Sequence, residues 1–402
     1  MTGDGMTSDG ISGDPTTGDA MTTGGPLAGV RVLELAALGP VPFTGMLLAD
    51  LGAEVIRVDR AGADAPGVGA DPGSDPRHRG RRSIGLDLKR PTGVAVLLRL
   101  VGHADVLMEG MRPGVAERLG IGPEECLHRN PRLVYGRMTG WGQDGPLAHR
   151  AGHDLNYLSL TGALHAMGPA EAPPPVPLNL IGDFGGGATY LALGIVCALL
   201  ERVGSGRGQV VDAAMLDGAA SLTALFHGLI ANGTWSAARA DNVLDGGAPY
   251  YRTYATGDGG FLAVGAIEPK FYATLLRRLG LAPADWPQHD RSRWAEQSAR
   301  LAAIFATRTR AEWERVFDGS DACVTPVLTF AEAPAHPHLA ARRTLVDVDG
   351  LVQPAPAPRF SRSTPTPPGP PVPRRAHTDQ VLAELGVTAE EIARWRHDRV
   401  IA

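Results

Sequence analysis

An open, doubly wound α/β domain followed by a smaller α+β domain is the architecture this sequence predicts, on three observations. An apolar run, a helical run and a second apolar run succeed one another near the start, at Gly29 to Leu35, Pro42 to Leu51 and Ala53 to Asp59. A βαβ unit of this kind implies a parallel sheet with helices on its faces. Between about 245 and 335 the pattern changes to a hairpin followed by helices. The 402 residues are 44% hydrophobic and 20% charged, the balance of a globular protein with room for two or three sizeable cores.

Taken in order, residues 1–25 are a Gly/Thr/Asp/Ser/Met run without Lys or Arg, read as a disordered tail and not a secretory signal. After the βαβ unit, Gly93–Gly102 reads as a helix, and Ala104–Glu109 and Leu133–Met138 as strands. Phe184–Val203 reads as a buried helix, because its glycines, Thr189 and Gly194 argue against a membrane span. A turn at 204–208, a strand at Gln209–Asp212 and a helix at Leu216–Ile230 follow. Tyr250–Ala255 and Gly260–Val264 flank a glycine turn, the mark of a β-hairpin. Lys270–Leu279, Trp294–Ala306 and Arg310–Phe317 are helical. Prolines make 353–374 an extended connector. Gly386 closes one helix, and Thr388 with Glu391 opens the last as a capping box. The large domain thus spans 26–230 and is completed by 345–402, the small one spans 245–335, and 231–244 and 336–374 connect them.

A net charge of −5 argues against nucleic acid or a membrane surface as the partner. Cys126, Cys197 and Cys323 are too few and too scattered for a disulfide framework or a zinc site, which suits a reducing, cytoplasmic setting. His336 and His338 lack nearby carboxylates in a metal-ligand pattern, and no G-x-S-x-G elbow is present. A dinucleotide is disfavoured as well. The loop Ala36 to Pro42 lacks G-x-G-x-x-G and carries two prolines where N–H groups would meet a pyrophosphate. The basic run Arg77-His78-Arg79-Gly80-Arg81-Arg82, with Lys89, Arg90, Arg112 and Arg118 beyond, suits either a polyphosphate ligand or a solvated loop.

Two residues stand out as proton carriers. His153 follows Gly152 and precedes Asp154-Leu155-Asn156-Tyr157; Asp183 precedes three glycines and a long apolar helix. An imidazole and a carboxylate on opposite sides of one carbon could remove a proton and return it with inversion. Asp154 and Asp183 also read as helix N-caps, and Glu268 as a helix-initiating acid. The three glycines exceed what a cap needs, and close backbone approach to a ligand would explain them.

The stretches PLAGVRVLELA, LLADLGAEVIRVDR, GMRPGVAERLGIGPEEC, GHDLNY, GDFGGG and AIEP occur in that order. With them the chain resembles the alpha-methylacyl-CoA racemase branch of the class III CoA-transferase (CaiB/BaiF-type) family over roughly 26–402. The resemblance implies a large Rossmann-like, CoA-binding domain and a small domain, with two chains interlocked as a homodimer. It puts the catalytic groups on His153 and Asp183, with Glu268 supporting the histidine from the partner subunit. It puts CoA contacts on Arg60, Leu86, Asp87, Leu88, Lys89, Gly110, Met111, Arg112, Arg118 and along Gly152, Asp154, Leu155, Asn156 and Tyr157. Met111 departs from the aromatic residue more usual there. The implied activity is interconversion of (2R)- and (2S)-2-methylacyl-CoA thioesters through an enolate, with N–H groups around Asp183 and the glycines meeting its oxygen. No cofactor or metal is implied, because CoA belongs to the substrate. A CoA-transferase using Asp154 as nucleophile is the rival reading, and a non-catalytic acyl-CoA-binding protein a third.

Overall fold

The computed structural model describes residues 24–62 and 71–402, so the tail expected over 1–25 lies outside the described residues except for its last two. Strands β1 (Arg31–Leu35), β2 (Glu54–Arg60), β3 (Arg81–Leu86), β4 (Val106–Glu109), β5 (Val134–Thr139) and β6 (Val210–Ala214) form one parallel sheet in the order 3-2-1-4-5-6. That order reverses direction between β1 and β4, and ligands of such folds bind at the carboxyl ends of the strands beside this switch point. The accompanying helices are α1 (Pro40–Asp50), α2 (Pro91–Val101), α3 (Val115–Arg118), α4 (Pro123–Arg129), α5 (Asp154–Leu160), α6 (Thr189–Ser205), α7 (Met215–Ser221) and α8 (Ala224–Ala231).

A second, three-stranded antiparallel sheet joins β7 (Tyr251–Ala255), β8 (Phe261–Gly265) and β9 (Val324–Pro326). It packs with α9 (Pro269–Arg278), α10 (Trp294–Phe305) and α11 (Arg310–Phe317) around Trp286, Trp294, Phe305 and Trp313. The stretch read as a connector carries α12 (Pro337–Arg342) and a hairpin of β10 (Leu345–Val348) with β11 (Leu351–Pro354). The chain then returns to the large sheet as α13 (Thr378–Glu384) and α14 (Ala389–His397), the latter opened by the Thr388–Glu391 capping box.

Side-chain alternation along the strands divides the large core in two. Leu33, Leu35, Ile56, Val58, Ile84 and Leu86 meet α2, α4, α13 and α14. Val32, Val55, Val106, Met108 and Val134 meet α1 and α6. On the second face β3 also carries charge into the interior. Arg81 is fully buried and pairs with Glu34 at 3.0 Å, and Arg79 is buried against Asp50 at 2.6 Å. Arg77 pairs with Asp75 at 2.6 Å and Arg82 with Glu384 at 2.6 Å. The run Arg77–Arg82 is not a solvated loop, since Arg79 and Arg81 are buried. It is a strand and its approach, with every arginine committed to a carboxylate.

Two helical expectations also change. The span Leu216–Ile230 breaks into α7 and α8 at Thr223, whose hydroxyl donates to the Ala220 carbonyl at 2.7 Å. The helix over Phe184–Val203 begins as a π-helix at Leu180–Ala188 and is not buried throughout. In α6 Leu191, Ile195 and Ala198 face the sheet, while Leu193, Val196, Leu200 and Val203 are exposed. By length and composition alone Leu180–Ser205 is apolar enough to cross a membrane, but its inner face is packed on β5 and β6.

Candidate active site

In a parallel sheet every strand points the same way, so the loops that follow the strands gather at one edge. Gly39 follows β1, Arg60 closes β2, and Leu86 to Lys89 close β3 and follow it. Gly110 to Arg112 follow β4, and the loop to His153 follows β5. The topology therefore brings nearly all of the sequence-derived site residues to one rim, although they span more than a hundred positions.

His153 is the N-cap residue of α5, and its backbone N–H donates to Asn156 Oδ1 at 3.1 Å. Its side chain is exposed, and it forms a reciprocal capping box with Asn156 at the start of α5. Tyr157 steadies this loop from beneath. Its hydroxyl donates to the Gly152 carbonyl, and its buried ring packs edge-on to Trp141 with centroids 4.7 Å apart. A Cβ at Gly140 would fall 2.0 Å from that ring, so glycine is required there.

Asp154 joins the two candidate carriers. Its side chain is buried, and Oδ2 accepts the backbone N–H of Asp183 at 2.6 Å. Oδ1 is buried without a hydrogen-bond partner among the described residues. The residue after His153 is thus fastened to the backbone of Asp183, and the loops carrying imidazole and carboxylate lie against each other. The same bond corrects an expectation. The Asp183 N–H points at Asp154 and is not free to meet an enolate oxygen.

Asp183 lies in the π-helical turn, and its Oδ2 accepts from Asn179 Nδ2 at 3.1 Å. Burial, more than any other influence, pushes its carboxyl above the ordinary range; the Asn179 hydrogen bond opposes this, and so do His153 and Arg77, while the nearby Asp154 charge adds to it. Such a carboxyl takes up a proton more readily than a solvated one. Burial likewise raises the Tyr157 phenol, with the Asp183 charge adding to the effect and Arg112 opposing it. Those influences place Arg112, Tyr157 and His153 within electrostatic reach of one another or of Asp183.

The glycines after Asp183 have a different cause from the one expected. A Cβ at Gly186 would lie 2.5 Å from the Ala219 N, and one at Gly218 would lie 1.8 Å from the Gly186 O. Gly186 and Gly218 let α7 cross the π-helical segment backbone to backbone, a cause within the fold itself. Gly182 has its own neighbour, the Asp154 carboxylate, 2.5 Å from where its Cβ would be.

The CoA candidates divide into groups. Leu88, Lys89 and Arg118 line one shallow groove of about 430 Å³, together with Arg90, Val94 and Leu119. Arg60 and Arg112 stand exposed elsewhere on the same rim. Asp87 is drawn to the backbone, its Oδ1 accepting the Lys89 N–H at 3.0 Å, and the Met111 N–H donates to Glu109 Oε2 at 2.5 Å. Glu268 does not join them. It is the exposed N-cap residue of α9 at the end of the small sheet, near Cys323, and among the described residues no bond links it to His153 or Asp183. Asn179 went unnoticed in the sequence, although its spacing of four from Asp183 is that of facing side chains on one helix.

The sequence signature of CoA-transferase family III matches residues 27–378. The chain belongs to that family. Alpha-methylacyl-CoA racemase of Mus musculus is 49% identical over 378 residues, covering 93% of this chain and 97% of the relative. The Homo sapiens protein of the same name is 45% identical over 383 residues, covering 93% and 97%. Among solved structures, a CAIB/BAIF family protein from Brucella suis superposes with a TM-score of 0.76 at 26% identity, covering 90% of this chain and 100% of that one. The fold of this chain is thus shared with that protein over nearly the whole of both chains.

Proposed function

We propose that this chain is an isomerase that interconverts (2R)- and (2S)-2-methylacyl-CoA thioesters. The carrying observation is the bond from Asp154 to the Asp183 amide, which sets the His153 and Asp183 loops side by side. It occurs in a chain whose near-full-length relatives, at 49% and 45% identity, are named alpha-methylacyl-CoA racemase.

A thioester acidifies the adjacent carbon. His153, exposed at the start of α5, takes the α-proton from one enantiomer, and Asp183 in its protonated form donates to the opposite face. The reverse direction exchanges the roles. The enolate oxygen between these steps needs hydrogen-bond donors. The backbone N–H groups of Asp154 and Leu155 supply them, since neither has an acceptor among the described residues. Lys89, Arg118, Arg60 and Arg112 hold the phosphates of CoA by charge-assisted bonds. The scheme uses no cofactor, and a reducing, cytoplasmic setting suits the three unpaired cysteines.

Two chains complete the site. None of the eight residues of α8 is buried, although six are apolar (Ala224, Leu225, Phe226, Leu229, Ile230, Ala231), and Ile230 is 56% exposed. With the open face of α6, where Val203 is 82% exposed, this makes an apolar surface that a soluble chain covers with a partner. An interlocked homodimer covers it and brings Glu268 across to orient His153.

The transferase alternative needs Asp154 as a free nucleophile, yet one of its oxygens is bonded and the other is buried. Incubation of a single 2-methylacyl-CoA enantiomer in deuterated water decides between the readings. Deuterium at the α-carbon with loss of optical purity and no acceptor acid is the expected result. CoA passing to an added carboxylate without exchange would overturn the proposal.

A further inference from the structure

Helix α1 starts with a glycine where a capping side chain ordinarily stands. Gly39 is its N-cap residue, at a left-handed φ of 65°, and Pro40, Val41 and Pro42 are its first three helical positions. A Cβ at Gly39 would lie 3.0 Å from Asp183 Oδ2. The Asp183 carboxylate, delivered from 144 residues further along the chain, thus lies against the N-cap position of α1, where other helices carry the side-chain oxygen of a Ser or Asp. Such an oxygen normally accepts the N–H of the second or third helical residue. Here the first and third are prolines, which have none. Val41 keeps its N–H but gives Asp183 no hydrogen bond.

The placement is held on several sides. Thr44 Oγ1 donates to the Pro40 and Ala188 carbonyls, both at 3.1 Å, and Phe43 stacks on Phe184 with centroids 4.6 Å apart. Beneath the helix start, Arg81 donates to the Pro42 carbonyl and pairs with Glu34. The other groups facing the carboxylate are His153, Asp154 and Tyr157 from α5 and its cap, Asn179 from the preceding turn, and Arg77. Helix α7, packed on the same segment, carries Asp217 in its first turn, and Tyr190 follows in α6, bonded to Ser221.

Resting on the racemase reading above, we infer that Pro40 and Pro42 are positioning residues for proton transfer: by withholding two N–H donors from the helix start against which Asp183 lies, they leave its carboxyl able to hold a proton. Each backbone N–H bond that a carboxylate accepts favours its ionised form further, beyond what Asn179 already does here. A carrier that must pick up and return a proton is served by few such bonds.

The test restores a donor. In full-length Pro42→Ala, alanine keeps the helix and supplies an N–H at its third position. A hydrogen bond to a charged group shifts an equilibrium roughly 10- to 160-fold, so the proton affinity of Asp183 should fall by roughly tenfold or more. It is read from the carbon-13 carboxyl signal that disappears in Asp183→Asn, and the acid limb of kcat/KM for racemisation should move to lower pH. Pro40→Ala serves as the second variant should Pro42→Ala fold poorly. Titration of Asp183 unchanged from the parent in both folded variants overturns the inference. A downward shift supports it even if the parent protein exchanges no α-proton, a result that would sink the racemase reading alone.

Discussion

Replacing Asp154 by Asn keeps the shape of the bridge and removes its charge. The bond at stake is a buried carboxylate oxygen 2.6 Å from the Asp183 N. Hydrogen bonds to charged groups contribute about 1.5–3 kcal/mol and neutral ones about 0.5–1.5. The amide therefore loses about 1–1.5 kcal/mol, which lowers the rate roughly 5- to 13-fold if it falls wholly on the transition state. Asp154→Ala loses the whole bond, roughly 10- to 160-fold on the same conversion. The pH dependence has a definite sign. The Asp154 charge helps to raise the Asp183 carboxyl, so its removal lets that carboxyl ionise at lower pH and moves the acid limb of kcat/KM downward. The assay is α-deuterium incorporation from one 2-methylacyl-CoA enantiomer across a pH series. A nucleophile would behave differently, because an amide cannot form the acyl anhydride. Complete loss of turnover in folded Asp154→Asn that still binds acyl-CoA would refute the bridge and restore the transferase reading.

Three further outcomes are expected. The Asp183 carboxyl is raised on folding, so its contribution favours the native state at acid pH and is lost as pH rises through its folded value. Asp183→Asn should therefore gain stability relative to the parent between acid and neutral pH in thermal melts; a difference independent of pH would contradict this. Gly218→Ala puts a Cβ 1.8 Å from the Gly186 carbonyl oxygen, and overpacking against backbone should cost about 1–3 kcal/mol or more. An unaltered melting temperature would show that the α7 crossing relaxes freely. Ile230→Glu should turn a dimer into monomers in sedimentation and reduce activity with it, whereas unchanged mass would place the interface elsewhere.

The parallel sheet was legible because its strands are short apolar runs at βαβ spacing, as at Val32–Leu35 and Val55–Val58. The Thr388–Glu391 cap was legible because its chemistry is local. β3 was not, since Arg-Arg-Ser-Ile-Gly-Leu looks solvated until Glu34, 47 residues away, is seen to pair with Arg81. The β10–β11 hairpin went unread inside an apparent connector, although Asp349-Gly350 between its two apolar runs is a turn signal. Residue type and a neighbouring glycine suffice to nominate His153 and Asp183, but the bond that unites their loops spans 29 residues and leaves no mark in spacing. The Gly185–Gly187 run was open to misreading for the same reason. A glycine shows that something comes close and does not say whether it is substrate or another helix.

Arg81 sits in the dry interior and reaches up to the Pro42 carbonyl at the mouth of α1. The ledge on which Asp183 leans is therefore anchored from the floor of the protein and not from its pliable rim. Changes of length or composition in the exposed loops around it leave that anchor in place.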